Sequence, residues 1–243
     1  MHTPHVHPDP ETLARCLADR LIDHARQCIE ARGAAHLVLA GGSTPRQLYR
    51  ELAQPGRRDQ LDWSRIHIYF GDERCVPPDH PDSNYHMARV ALLEQVPIPE
   101  AQVHPIPARM ETVRRDAAAY ARELARHAPI GTGGQPRFDL VLLGLGEDGH
   151  TASLFPGTCI LNERERAVAA VYVPRLKSWR ISLTYPALRQ ARALWILTTG
   201  AAKADILGRI WREPDAGLPI QALADLDDLE WHLDAAAAEQ IPL

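Results

Sequence analysis

The chain has 243 residues, 27 Lys and Arg against 31 Asp and Glu, a formal net charge of -4 and 45% hydrophobic residues, the composition of an ordinary globular protein long enough for one large α/β domain. No basic block offers a footprint for nucleic acid, and no apolar run reaches the length of a membrane span. Met1-His2-Thr3-Pro4-His5 has neither region of a secretory leader, and the scattered Cys16, Cys28, Cys75 and Cys159 form no Cys-x-x-Cys pair, so a reducing cytoplasm is expected, with no nucleic-acid or membrane partner.

His5 and His7 fall in a tail expected to be frayed. The other histidines show no His-x-x-x-His or comparable ligand spacing, so no required metal is expected. Thr12 to Arg32 places Leu13, Cys16, Leu17, Ala18, Leu21, Ile22 and Ala25 largely on one face and stops at Gly33, which predicts an amphipathic helix. His36-Leu37-Val38-Leu39-Ala40 is the first run of strand length. It ends in Gly41-Gly42-Ser43-Thr44-Pro45 before a helix-like Arg46 to Leu52. Glycines, two hydroxyls and a proline at the first turn make a compact anion cradle, because free backbone N–H groups and the helix dipole favour a phosphate there. A plain Ser/Thr N-cap is the alternative, and the missing Gly-Lys-Ser/Thr ending separates the loop from a Walker A motif.

A second run, Ile66 to Phe70, ends in Gly71-Asp72-Glu73-Arg74. Three consecutive charges there read either as surface or as part of the ligand edge that open α/β sheets form at their strand ends. Ser83 to Gln95 and Thr112 to His127 have helical periodicity. Gly131 to Pro136 has the composition of a linker but connects a helix to the next core strand.

That strand, Asp139 to Leu143, opens into Gly144-Leu145-Gly146-Glu147-Asp148-Gly149-His150-Thr151. His150, with an ordinary pKa near neutrality, is the leading catalytic candidate. Gly144, Gly146 and Gly149 also fit the dinucleotide fingerprint G-x-G-x-x-G. Pro156-Gly157 interrupts the helix which that motif requires, so no nicotinamide or flavin cofactor is expected. Val168 to Val173 and Ala193 to Thr198 are further strands. The latter runs into Gly200-Ala201-Ala202-Lys203, where Lys203 either reaches a phosphate at the first loop or is solvated. Arg180, opening Ile181-Ser182-Leu183-Thr184, is a second candidate cation. Leu229 to Leu233 is an optional last strand and Ala235 to Gln240 a short helix. Strands alternating with helices predict βαβ units around a mostly parallel sheet, in one domain over residues 1–243. Polar clusters at four strand ends together predict a sugar-phosphate pocket.

These blocks resemble the 6-phosphogluconolactonase family, within the larger group that includes glucosamine-6-phosphate deaminases. The resemblance is carried by Leu39 to Pro45, Phe70 to Pro77, Asp82-Ser83-Asn84-Tyr85, Gly144 to Pro156, Arg180 to Thr184, Gly200 with Lys203, and Trp231 to Ala236. It implies a modified doubly wound, Rossmann-like α/β sandwich of three layers, with helices on both faces of a mostly parallel sheet. It also implies hydrolysis of 6-phospho-D-glucono-1,5-lactone in the oxidative pentose phosphate pathway, without a cofactor and with glucose-6-phosphate dehydrogenase as a metabolic neighbour. The small-molecule sugar phosphate would be held by Gly41, Gly42, Ser43 and Thr44 with Arg180 and Lys203. His150 would be the general base, Asp148 and Asp72 would orient or polarise it, and Arg74 would stabilise the oxyanion. The deaminase-isomerase relatives are the alternative. They carry a glutamate where this chain has Phe155, and Asp-Glu-Tyr where it has Asp72-Glu73-Arg74. A sensor that binds sugar phosphate without chemistry is a third reading. Oligomeric state is left open.

Overall fold

The computed structural model describes residues 3–242. Seven strands, β1 (His5–His7), β2 (Ala35–Leu39), β3 (Ile66–Phe70), β5 (Val103–His104), β6 (Leu140–Leu143), β9 (Leu194–Thr198) and β10 (Leu229–Asp234), form a sheet in the order β1-β10-β9-β6-β2-β3-β5. Every pairing in it is parallel. The central strands β6 and β9 are buried along their whole length, which is why they read as continuous apolar runs rather than alternating ones. A second sheet, antiparallel, is made of β4 (Asp72–Arg74), β8 (Ser178–Leu183) and β7 (Val168–Val173), in that order.

The helices are α1 (Pro10–Arg32), α2 (Ser43–Leu52), α3 (Pro55–Arg58), α4 (Asn84–Ala91), α5 (Val113–His127), α6 (Tyr185–Leu188), α7 (Ala204–Arg212) and α8 (Ala235–Ala238). α1 starts where Asp9 accepts a hydrogen bond from the Thr12 amide at 2.7 Å, and it buries Leu13, Leu17, Leu21, Ala25 and Cys28. α1 packs on α2, and α5 packs on β7 and β8. A contiguous apolar core joins both sheets and the helices.

The site is positioned by the point at which strand order reverses. β2, β3 and β5 run outward in one direction, whereas β6, β9 and β10 run outward in the other, so the switch lies between the paired strands β2 and β6. Loops leaving those two strands must diverge, and they open a crevice at their carboxyl ends.

Several expectations are corrected. Val168 to Val173 is not part of the parallel sheet but an edge of the antiparallel one, because a six-residue apolar run carries no information about its partner. Asp72 to Arg74 is a strand rather than a loop, paired with Arg180 to Ser182. His5 to His7 is not frayed: it adds β1 beside β10, with His5 stacked on the buried His232 at 5.0 Å between ring centroids. α2 begins at Ser43, three residues before Arg46, because Pro45 fits its first turn. The helix expected to Gln95 ends at Ala91 and gives way to a 3₁₀ turn at Leu93–Gln95. No α-helix follows Gly149; a turn and a short Thr151–Leu154 bridge take its place, so the glycine pattern lacks the dinucleotide-binding geometry.

Candidate active site

Four loops meet above the switch. Those after β2, β3, β6 and β9 line a cleft of about 260 Å³ whose walls include Gly41 to Thr44, Asp72, Arg74, Gly146, His150 and Lys203. Larger clefts of about 650, 720 and 1100 Å³ lie elsewhere and do not include His150. The strand ends here are clamped from outside the sheet. The buried Tyr49 hydroxyl donates to the Ala40 carbonyl at 2.8 Å and accepts from the Ala40 amide at 2.9 Å. Tyr120 does the same at the end of β3, donating to the Phe70 carbonyl at 3.0 Å and accepting from its amide at 2.9 Å. Both peptides lead directly into site loops.

At the first loop, no side chain caps α2, and its first helical bond runs from the Arg46 amide to the Gly42 carbonyl. The Thr44 hydroxyl is used instead to reach Thr199 at 2.7 Å, joining the β2 and β9 loops. The amides of Ser43 and Thr44 thus have no intrahelical acceptor, and neither hydroxyl serves as a side-chain N-cap. Gly41 is required by crowding: a Cβ there would stand 1.9 Å from Asn84 Oδ1. The buried Asn84 in turn donates to the Asp72 carbonyl at 2.9 Å and to Asp72 Oδ1 at 3.0 Å. Lys203 is 3.8 Å from Glu147, a loose pairing that leaves its ammonium at the cleft.

In the β6 loop, His150 Nδ1 is hydrogen-bonded to Asp148 Oδ1, and Asp148 Oδ2 pairs with Arg175 at 3.0 Å. The Asp148 contact calls for the proton on Nδ1 and leaves the Nε2 lone pair free. Burial lowers the His150 pKa more than the hydrogen bond to Asp148 and the charges of Asp148 and Asp72 raise it, which favours the neutral ring. Burial raises the Asp148 carboxyl, but its bonds to His150 and the charge of Arg175 outweigh this and hold it below its ordinary value. The Phe155 ring stacks on the imidazole at 3.9 Å between centroids and 25° between planes, covering one face.

Asp72 is pinned on both oxygens, by Asn84 and by Ser153 Oγ at 2.6 Å. Arg74 lines the cleft, with Nη1 donating to the Asp82 carbonyl at 2.7 Å and a buried Nε that has no partner among the described residues. Arg180 and Asp148 are the predicted residues that do not themselves line this cleft; Asp148 meets it through its bond to His150. Arg180 lies opposite Arg74 in the antiparallel register, and its guanidinium donates to Ser178 Oγ at 2.5 Å and to the Trp179 carbonyl at 3.1 Å. Burial and the neighbouring Arg74 charge lower its pKa. Sequence reasoning gave no role to Asn84, Ser153, Thr199, Arg175, Tyr49 or Tyr120, since each acts through a partner distant in the chain. Glu73 belongs with them: its carboxylate accepts from the amides of Arg74, Asn84 and Tyr85, each at 2.8 Å, and from Ser83 Oγ at 3.0 Å. It therefore ties the start of α4 to β4.

A family profile described as glucosamine-6-phosphate isomerases/6-phosphogluconolactonase matches residues 8–231. The chain belongs to that family. It is 42% identical to a 6-phosphogluconolactonase of Synechocystis sp. over 88% of each chain. A 6-phosphogluconolactonase of Mycobacterium leprae is 39% identical over 98% of this chain and 97% of that one. The solved 6-phosphogluconolactonase of Trypanosoma brucei superposes with a TM-score of 0.86 at 31% identity, covering 98% of this chain and 99% of the other.

Within this family member, Gly146, like Gly41, has no room for a single added carbon. A Cβ at Gly146 would lie 1.9 Å from His150 Nδ1, 2.0 Å from Cε1 and 2.8 Å from Asp148 Oδ1. Gly146→Ala is expected to displace the imidazole and abolish most turnover while leaving the fold intact. Far-UV circular dichroism with a kcat measurement checks this, and native kcat in the variant would refute it.

Proposed function

We propose that this protein hydrolyses 6-phospho-D-glucono-1,5-lactone to 6-phospho-D-gluconate, the lactonase step of the oxidative pentose phosphate pathway, in the cytoplasm. The reading rests on relatives of that name spanning nearly the whole chain, and on one local observation. The proton-transfer group of the cleft is a neutral histidine backed by a carboxylate and covered by Phe155, an aromatic side chain that transfers no proton. Sugar ring opening by an aldose-ketose isomerase needs a second acid–base group at that position.

The phosphate sits on the amides of Gly42, Ser43 and Thr44 and pairs with Lys203; Arg180 adds positive charge at longer range. This places the lactone carbonyl toward His150. Nε2 takes a proton from water as the water oxygen bonds to C1. The carbonyl electrons move onto oxygen, where Arg74 stabilises the developing negative charge. Collapse breaks the bond from C1 to the ring oxygen, and the imidazolium returns its proton to that leaving oxygen. Asp148 keeps the proton on Nδ1 and stabilises the imidazolium, and Asp72 anchors the wall opposite.

Freshly prepared 6-phosphogluconolactone should be hydrolysed well above its spontaneous rate, with no ammonia released from glucosamine-6-phosphate. Ammonia release would move the assignment to the deaminase branch, and binding without either reaction would make the protein a sensor. Lys203→Ala removes a charge-assisted bond worth ~1.5–3 kcal/mol, so KM should rise about 10- to 150-fold with a smaller change in kcat. An unchanged dissociation constant for 6-phosphogluconate by calorimetry would exclude Lys203 from the phosphate site.

A further inference from the structure

Away from the cleft, four histidines form a continuous stack from the sheet to α5. The rings of His36 on β2 and His67 on β3 lie 4.8 Å apart at 9°, and those of His67 and His104 on β5 5.5 Å apart at 12°. His127, near the end of α5, completes the series at 4.9 Å from His104. Glu123, one helical turn before His127, reaches between the last two. Its Oε1 is 2.8 Å from His104 Nδ1 and 3.6 Å from His127 Nε2. None of these side chains lines the catalytic cleft.

We propose that His104, Glu123 and His127 bind a divalent first-row transition cation of the Zn²⁺ type, clipping the edge strand β5 to α5. One ligand atom from each residue lies within 4.8 Å of the others. Ligands at zinc distances in a tetrahedral shell stand about 3.3 Å apart, so the 2.8 and 3.6 Å separations bracket the required span. Closing the third pair requires a rotation of His127, whose side chain is 42% exposed. Two imidazoles and one carboxylate suit a borderline cation, whereas Mg²⁺ and Ca²⁺ call for shells of six or more oxygens. Three protein ligands leave a fourth position for water. His104 and Glu123 also border a cleft of about 650 Å³, which provides an entry path.

The surrounding contacts prepare the ligands. Coordination through His104 Nδ1 needs its lone pair, so the ring proton must sit on Nε2. That nitrogen is 3.2 Å from His67 Nδ1, which then acts as the orienting acceptor usual behind a metal-bound histidine. His104 is almost fully buried, so its ring is held in place before any metal arrives. The sequence hides this set because its members come from two elements and 19 residues separate His104 from Glu123.

The test titrates the chelator-treated protein with Zn²⁺ by calorimetry, follows the melting temperature, and uses Co²⁺ absorption to report coordination geometry. One equivalent should bind, raise the melting temperature with rising Zn²⁺, and give a tetrahedral Co²⁺ spectrum. His67→Phe should weaken binding about 10- to 100-fold, as loss of an orienting partner does. Glu123→Gln and His127→Gln, both at half-exposed positions that tolerate substitution, should weaken it at least as much. Absence of saturable binding to the native protein overturns the proposal. So does equal binding by both glutamine variants, which would put the metal elsewhere, for example at His5, Glu230 and His232.

Discussion

His150→Ala is expected to lower kcat for lactone hydrolysis by about 10²–10⁴-fold, the range of a general base, while 6-phosphogluconate binds nearly as before. The asymmetry follows from the cleft. His150 extends from the β6 loop, whereas the proposed phosphate contacts lie on the β2 and β9 loops, whose own cross-bond, Thr44 to Thr199, does not involve the imidazole. Turnover equal to that of the native protein would end the assignment.

The pH profile gives an independent check on the same group. A base acts only when neutral, so kcat/KM should fall as pH drops through the His150 pKa. Burial, the dominant influence, moves that pKa below the ordinary histidine value near 6.5, so the acid limb should have its midpoint under 6.5. Asp148 opposes this shift through its hydrogen bond and charge. Asp148→Asn should therefore move the midpoint lower still and reduce kcat, since the preferred proton position on the ring is lost. A midpoint above 6.5 in the native enzyme, or an upward shift in Asp148→Asn, would contradict this account of the base.

A loss of stability is expected from removing the tyrosine clamps. Tyr49→Phe strands both the amide and the carbonyl of Ala40, and Tyr120→Phe does the same to Phe70, in fully buried surroundings. Leaving buried polar groups unpaired costs ~1–3 kcal/mol, so each variant should melt several degrees lower, at about 2–4 °C per kcal/mol for a chain of this size. Activity should suffer too. Ala40 precedes the Gly41–Gly42 cradle and Phe70 precedes Asp72, so both loops lose their fixed points. Urea unfolding with kinetics on both variants measures the two effects. Native stability in either variant would mean that water or backbone movement satisfies the stranded groups.

Much of this protein is determined locally. The apolar runs ending in Gly41, Gly71 and Gly144 specify buried strands that open into loops, and Leu13 to Ala25 specify a helix face. The proposed site residues His150, Asp148, Asp72, Arg74 and Gly41 to Thr44 could be nominated from the sequence because each lies in the segment that follows such a strand. What periodicity cannot carry is partnership between distant segments. Only the folded chain decides that β8 pairs with β4 on one side and β7 on the other in a separate sheet, which sets Arg180 opposite Arg74 rather than on the cleft wall. Likewise, only the fold brings Asn84 to Asp72, Tyr49 to Ala40, and Glu123 to His104. Strand and helix identity follow from interactions a few residues long, whereas clamps, cavities and ligand sets are made by contacts that exist only once the chain has closed on itself.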